Sequence, residues 1–337
     1  MRWLVFVGLA IGLGLLAALG WTVRGPALAQ ALAVGWLPAA AASIYRPFTL
    51  LLYTWSWRLL LPPGRPRRLG ALLRLRWIGE SINSLLPVAQ VGGDLTRARL
   101  VAARGVGGGA AGAAMVADIA IGAFTQALFG LAGLAALAVL RAAGRLGPSV
   151  AVGSLAALAG GGALYVVLHL GPGRLLARLP FGDRLRARAK SLAGGVTGLD
   201  AAMRRLARRP RALASSAAWH LAGWFSHVGE TWMVLALCEA PVSWGAALAI
   251  ESLSSTARAA AFFIPGGLGV QEGAVLYFCR RLGLPLEAAV VLGGVKRLRE
   301  LVVGLPGLVA WAFAERQTLG RTAARARARR SGSCADG

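Results

Sequence analysis

Long apolar runs alternate with short basic segments along the chain. Six runs are long enough to cross a bilayer as helices, which takes about 20 residues. They are Trp3–Val23, Leu28–Leu61, Gly107–Leu140, Ser149–Leu170, Leu213–Leu237 and Leu286–Ala314. Because backbone amides in lipid must be hydrogen-bonded within the protein, the pattern predicts an all-α polytopic membrane protein with about six full transmembrane helices.

The first run also has features of a secretory signal peptide. It follows Met1-Arg2, and Ala27-Leu28-Ala29 resembles a cleavage site. However, the apolar core of a signal peptide has about 7–15 residues. Trp3–Val23 is longer, and Arg24 separates it from the cleavage-like residues, so we expect a retained helix.

Two further apolar stretches are interrupted by proline and glycine. Residues 69–100, the first broken element, contain Pro87 and Gly92-Gly93. Residues 245–282, the second broken element, contain Pro265-Gly266-Gly267. These residues end a helix and let the chain turn. We therefore interpret both elements as re-entrant pairs of half-helices, which are tolerated at membrane depth where they pack in protein or line a cavity.

The placement of charge predicts the orientation. Of the net charge of +24, about +21 lies in segments 58–104, 172–211 and 316–337. The positive-inside rule places all three in the cytoplasm, and with them the C-terminus. The N-terminus is then expected to be cytoplasmic as well. The first broken element would enter from the cytoplasmic face and the second from the opposite face.

Composition excludes several other classes of protein. Apolar residues make up 57% of the chain and mean hydropathy is +0.62, which excludes a disordered basic tail and a soluble nucleic-acid-binding domain. The three cysteines give neither a disulfide framework nor a zinc spacing. We expect no metal, no cofactor and no nucleic acid. The arginine clusters either fix topology alone or also bind anionic lipid headgroups.

The two broken elements share a local pattern. Glu80-Ser81-Ile82-Asn83-Ser84 is echoed by Glu251-Ser252-Leu253-Ser254-Ser255, and each is followed by proline and a glycine pair. Since the elements are placed on opposite faces, the echo suggests an inverted repeat, as in secondary transporters. The repeat-like halves are about 1–140 and 212–314, within one membrane domain of residues 1–315. The tail, 316–337, is expected to be disordered.

Polar residues of the two elements define a candidate cavity. Charged groups deep in an apolar run are costly and usually line a site. The candidates are Glu80, Asn83, Pro87, Gly92, Gly93, Asp94, Arg97, Glu251, Arg258, Pro265, Gly266, Gly267, Gly269, Glu272, Arg297 and Glu300. An alternative is purely structural: Asp94 caps a helix beside Arg97, and Lys296 or Arg297 pairs with Glu300.

Other intramembrane polar residues have weaker arguments. His220, His227 and Glu230 share a helix face, as packing residues or as a proton relay. Arg46, Asp118 and Gln126 are isolated polar residues in apolar runs, and we rank them lower. The chain shows no metal-binding motif and no catalytic set, so we expect a protein that is not an enzyme.

Both broken elements resemble a known family. Residues 76–87, with Gly92-Gly93-Asp94 and Arg97, are similar to the N-terminal signature of the lysylphosphatidylglycerol synthase transmembrane-domain family of flippase-like proteins. Residues 263–273 and Arg297 are similar to its C-terminal signature. Residues 77–99 also resemble the subgroup associated with hopanoid biosynthesis.

The resemblance implies a bacterial inner-membrane protein that moves a lipid between leaflets, either a phospholipid, a polyprenyl lipid or a hopanoid-type lipid. Arg97 and Arg297 would contact an anionic or polar headgroup. Glu80, Glu251 and Glu272 would pair with these arginines or carry a coupling proton. Longer members carry a soluble aminoacyl-transferase domain; the residues after Ala314 are too few for one, so we expect no synthase activity. Alternatives are an accessory scaffold that docks lipid-biosynthesis enzymes through its basic loops and, less well supported, a membrane-embedded transferase.

Overall fold

The computed structural model describes Gly14 and residues 35–63, 68–86, 92–140, 195–261 and 264–333. In these ranges the regular structure is helical throughout, which confirms the all-α prediction for this part of the chain. The helices are α1 (Trp36–Leu60), α2 (Leu69–Leu85), α3 (Gly92–Ala102), α4 (Gly108–Val139), α5 (Gly195–Ala207), α6 (Pro210–Leu237), α7 (Trp244–Ala260), α8 (Val270–Arg281) and α9 (Leu286–Ser333). A 3-10 turn, Pro265–Gly267, lies between α7 and α8.

Among the described helices, α4 is the one whose own length and apolarity are sufficient for a membrane crossing. Two of the predicted spans, Trp3–Val23 (apart from Gly14) and Ser149–Leu170, lie outside the described residues. So do Pro87 and residues 172–194 of the predicted basic loop.

The first broken element ends its first helix where the sequence predicts a stop, whereas α7 of the second ends at Ala260, five residues before Pro265. Leu86, directly before a proline, has φ −105° and ψ 147°, the extended conformation that proline imposes on the preceding residue. In the second element Gly266 and Gly267 have φ values of 63° and 60°. A side chain would be strained there, so glycine permits the reversal between α7 and α8.

Helices α1 and α6 pack antiparallel along most of their length. Thr49 Oγ1 lies 2.9 Å from Ser226 Oγ, and Ser56 Oγ lies 2.8 Å from Ser216 Oγ. Residue numbers rise along one helix as they fall along the other. Buried hydroxyl pairs of this kind join helices in an apolar environment.

Six of the remaining described helices, all except α5, form two similar series. In the first, α2 has 17 residues, α3 has 11 and the long α4 follows. In the second, α7 has 17 residues, α8 has 12 and the long α9 follows. Each 17-residue helix crosses the long helix of the other series at two glycines. The contacts are Ser81 with Gly307, Leu85 with Gly304, Ser252 with Gly133 and Thr256 with Gly130.

These crossings preserve the sequence echo. Ser81 follows Glu80 and Ser252 follows Glu251, and both serines pack on a glycine of the opposite long helix. From the serine contact to the second contact, the position moves four residues forward in the 17-residue helix, from 81 to 85 and from 252 to 256. In the long helix it moves three residues back, from 307 to 304 and from 133 to 130. The two series therefore use equivalent positions for equivalent contacts.

Helix α9 is continuous to Ser333 and includes most of the tail that the sequence analysis expected to be disordered. Alanine and arginine are strong helix formers, and extending an existing helix avoids the cost of nucleation. Within the bundle, one face of α9 is apolar and exposed. Its side chains are Leu298, Leu301, Val302, Leu305, Val309 and Phe313. A continuous exposed apolar surface of this kind suits contact with lipid or another apolar partner.

Candidate functional site

A cavity of about 390 Å³ lies between the two broken elements, with α1, α4, α6 and α9 completing its wall. Ten of its lining residues are acidic or basic: Arg46, Arg76, Glu80, Asp94, Arg97, Asp118, Glu251, Arg258, Arg299 and Glu300. Five are acidic and five are basic, so the wall has no net formal charge.

Asp118 is the centre of the ion pairs on one side of this cavity. Its Oδ2 accepts hydrogen bonds from Arg76 Nη1 at 2.6 Å and Arg97 Nη2 at 2.5 Å. Its Oδ1 lies 3.0 Å from Nε2 of His220. The Asp118 side chain is only 2% exposed. A buried carboxylate is tolerated only when paired and hydrogen-bonded, and here three side chains from three other helices satisfy that need.

The pairing extends through the bundle as a chain of alternating charges. Asp94 accepts from Arg97 at 2.7 Å, and Glu80 accepts from Arg76 at 3.3 Å and from Arg46 at 3.0 Å. Arg46 Nη1 lies 3.4 Å from His227 Nε2. Further along α6, Glu230 pairs with Arg299 of α9. The network thus connects α1, α2, α3 and α4, and reaches α6 and α9.

Asn83 of α2 holds the start of α3 against α2 in the first broken element. Its Oδ1 accepts from the backbone N–H of Gly93 at 2.7 Å, and its Nδ2 donates to Asp94 Oδ2 at 3.0 Å. Gly93 lies against the carbonyl of Gly79, so the start of α3 touches the middle of α2 without an intervening side chain. Asn83 thereby satisfies an otherwise free helix N-terminal N–H.

Arg297 holds the turn of the second broken element. Its Nη1 donates to Gly266 O at 2.9 Å and Nη2 to Gly267 O at 3.2 Å. The same guanidinium pairs with Glu300 at 2.7 Å and with Glu272. Glu272 also accepts from the N–H of Gly269 at 2.9 Å and caps α8. Arg297 is outside the cavity wall, and its donors are engaged by this chain itself.

We call the end of α2 together with the start of α3 the first tip, and the 3-10 turn Pro265–Gly267 the second tip. The two tips meet at Gly266. A methyl group built on this glycine would lie 3.2 Å from the carbonyl oxygen of Ser84, near the end of α2. On the other side, Arg258 of α7 bonds Gln271 Oε1 at 2.8 Å and pairs with Glu300. The two tips and the first third of α9 therefore form one junction beside the cavity.

The sequence candidates fall into three groups. Those that line the cavity are Glu80, Asn83, Asp94, Arg97, Glu251, Arg258 and Glu300. Those behind the wall that shape the two tips are Gly93, Gly266, Gly267, Gly269, Glu272 and Arg297. Gly92 is the first residue of α3, Pro265 is the first of the 3-10 turn, and Pro87 lies outside the described residues.

Sequence reasoning missed or under-ranked several lining residues. Arg76 was not selected, although it lies four residues before Glu80, the spacing of a helical ion pair. Arg46 and Asp118 were under-ranked because their partners come from other helices. In the described part of the chain, no group of three His, Cys, Asp or Glu side chains is arranged to hold a metal ion.

Aromatic residues join the charged ones in the cavity wall, among them Tyr53 and Trp224. The ring centroids of Tyr53 and Trp224 are 5.9 Å apart, and both side chains line the cavity. The guanidinium of Arg76 lies 5.3 Å from the Tyr53 ring centroid, within the range of a cation–π contact. Tyr53 thus helps to orient the arginine that pairs with Asp118.

A helical bundle with exposed apolar surface and a paired-charge interior is the construction of a membrane protein that accommodates polar groups. The family model for the lysylphosphatidylglycerol synthase transmembrane region matches residues 5–307, and the chain belongs to this family. The comparisons with curated proteins and with solved structures gave no match. The membrane class and the family resemblance are thereby confirmed, while the hopanoid subgroup stays a prediction.

Proposed function

We propose that the protein moves a lipid between the leaflets of the bacterial inner membrane by passing the headgroup through the cavity. The observation that supports this most is a wall with ten charged residues inside a bundle whose α9 face is apolar. A polar headgroup gains hydrogen bonds in such a cavity, while its acyl chains stay in lipid. The mechanism involves no covalent step.

The proposed topology has six full spans, two re-entrant elements and an inverted repeat. The equivalent crossings of α2 with α9 and of α7 with α4 support it. The depth of the second tip in the membrane also supports this topology. Its anchor, Arg297, lies eleven residues after Leu286, which is about 16 Å along a helix that rises 1.5 Å per residue. That is about half of a hydrocarbon core roughly 30 Å thick.

A lateral entrance for the headgroup would lie between α4 and α7. Ile119 of α4 and Ala259 of α7 both line the cavity and are both exposed. Deeper in the wall, Gln126 Nε2 donates to Thr256 Oγ1 at 3.1 Å and joins the same two helices. Small and apolar rim residues would let a lipid enter sideways, with the charged residues beyond them.

Replacing Glu80 with glutamine tests the cavity. Its side chain is 33% exposed and pairs with Arg46 and Arg76, so the substitution removes a charge that a headgroup can reach. We expect translocation of fluorescent phosphatidylglycerol or phosphatidylethanolamine in proteoliposomes to slow at least about tenfold, equivalent to about 1.4 kcal/mol. Dithionite quenching measures the rate, and size-exclusion profiles report the folded fraction.

Glu315→Gln is the matched control, because Glu315 pairs with exposed Arg99 away from the cavity. The control should translocate lipid at the wild-type rate. A folded Glu80→Gln variant as active as the control would contradict the cavity model. A folded wild-type protein that moves none of the lipids would contradict the transport proposal and favour the scaffold role.

Cysteine labelling tests the proposed topology. Arg281, at the end of α8, and Arg205, in α5, are both exposed. In a background without the native cysteines, we expect a cysteine at position 281 to react with a membrane-impermeant maleimide from the outer side only. A cysteine at position 205 should react from the cytoplasmic side only. Labelling of both positions from the same side would contradict the outer re-entrant element.

A further inference from the structure

We propose that Glu251 and Lys296 form the site at which a proton is bound and exchanged during lipid movement. The inference rests on the proposed function and deepens it, because it names the coupling ion. The two residues come from α7 and α9, and Lys296 Nζ lies 2.5 Å from Glu251 Oε2. The Lys296 side chain is 3% exposed and the Glu251 side chain is 4% exposed.

This pair differs chemically from the other buried ion pairs. Every other carboxylate that the structure describes in the network has an arginine partner. A guanidinium keeps its proton in proteins, whereas an amine can release one when buried. Glu251 is the exception, since its ion-pair partner is a lysine. The chain has 35 arginines and only two lysines, so a lysine at position 296 stands out in a chain whose basic residues are nearly all arginine.

The equivalent residue of the other broken element strengthens the contrast. Glu80 occupies the corresponding place in the Glu-Ser echo, and it is paired with Arg46 and Arg76. Two guanidiniums hold that carboxylate in its charged form. Of two equivalent carboxylates on the cavity wall, one therefore has partners that keep their protons and the other has a partner that can release one.

The surroundings provide a path and a partner for the exchanged proton. Glu251 lines the cavity, whereas Lys296 lies behind it, so the carboxylate is the side that water in the cavity can reach. Thr231 Oγ1 donates to the same Glu251 oxygen and accepts from Lys296 at 3.2 Å. To release a proton, Lys296 passes it across their hydrogen bond to Glu251, and Glu251 gives it to water in the cavity. The pair then carries one negative charge, a carboxylate beside a neutral amine, and loses the ionic attraction that holds α7 to α9.

Other titratable or charged groups also face the pair. Glu251 and Lys296 interact electrostatically with Tyr53 of α1, with His227 and Glu230 of α6, with Cys279 of α8 and with Arg299 of α9. Glu230 is paired with Arg299, which keeps both charged. His227 is then the main competing proton acceptor, and the experiment has to include it.

The transport test uses the full chain in vesicles of phosphatidylethanolamine and phosphatidylglycerol, with fluorescent phosphatidylglycerol as the probe. Valinomycin and potassium clamp the membrane potential. For one proton per lipid, a gradient of one pH unit should give about a tenfold difference in probe between leaflets. Lys296→Arg keeps the charge but cannot release a proton, and should reduce the ratio to about one. Lys190→Arg is the matched control and should keep the wild-type ratio.

A spectroscopic test needs no transport. The chain contains two lysines, so biosynthetic labelling with ¹³Cε-lysine gives two side-chain signals, which Lys190→Arg assigns. We expect the Lys296 signal to respond to pH in the wild type, and the response to disappear or move in Glu251→Gln, because the step belongs to the pair. A signal independent of pH, or a response unchanged by Glu251→Gln, would overturn the proposal.

The two measurements separate the two hypotheses. If the Lys296 signal responds to pH but no lipid moves, the transport function is contradicted and the proton site is not. If the wild type moves lipid but the probe distribution does not depend on the pH gradient, the proposed coupling is wrong. A gradient response that survives Lys296→Arg but is abolished by His227→Gln would also overturn the proposal, because it would move the proton site to His227.

Discussion

Replacing Asp118 with asparagine should destabilise the protein by about 3–5 kcal/mol, the usual cost of removing one partner from a buried ion pair. The Asp118 carboxylate receives Arg76 and Arg97, and both arginines are buried. An amide has no charge to offset them, and its NH₂ group would face a donor. The free energy of unfolding in mixed micelles, titrated with sodium dodecyl sulfate, measures the effect.

The control for this prediction is again Glu315→Gln. The Arg99 and Glu315 side chains are 54% and 26% exposed, so breaking this pair should cost no more than about 1 kcal/mol. Combining Asp118→Asn with Arg97→Met should recover part of the loss, because one unpaired buried charge is then removed. Equal effects of Asp118→Asn and Glu315→Gln would show that the network does not stabilise the fold.

Replacing Gly93 with alanine should cost about 3 kcal/mol, at the upper end of the range for overpacking. The added methyl group would overlap the carbonyl oxygen of Gly79 in α2 and would lie 2.8 Å from Asn83 Oδ1. Both obstacles belong to the first broken element, so the start of α3 has to move away from α2. Unfolding in the same mixed micelles reports the loss, and translocation should fall with it.

Gly70→Ala is the matched control for Gly93→Ala. Gly70 lies in α2, and a methyl group there meets nothing within 4 Å. In a helix, alanine is favoured over glycine by about 1 kcal/mol. Gly70→Ala should therefore leave the stability unchanged or raise it slightly. Similar losses in the two variants would mean that the contact of α3 with α2 is looser than the structure has it.

The interruptions of the two elements were predictable because they are local. Proline restricts the residue before it and glycine tolerates positive φ, so the stop after Leu85 and the reversal at Gly266-Gly267 need no tertiary information. The polar face with Glu80 and Asn83 was also predictable, since helical spacing decides which residues share a face. Both residues line the cavity.

Arg297 shows where the same reasoning fails. A basic residue deep in an apolar run indicates a polar site, and this residue does lie at one. However, spacing does not reveal whether a guanidinium faces a ligand or the protein. The carbonyl oxygens of Gly266 and Gly267 come within reach only when the second tip folds against α9, and they occupy the donors that the sequence assigned to a headgroup.

The sequence by itself determined the helical membrane class, the family and the positions of the two breaks, because apolar run length and backbone stereochemistry act locally. The tertiary structure decided which charges pair. Asp118 looked isolated in its own helix, yet Arg76, Arg97 and His220 reach it from α2, α3 and α6. A buried charge is stabilised by whichever helix packs against it, and hydrophobic periodicity does not encode that choice.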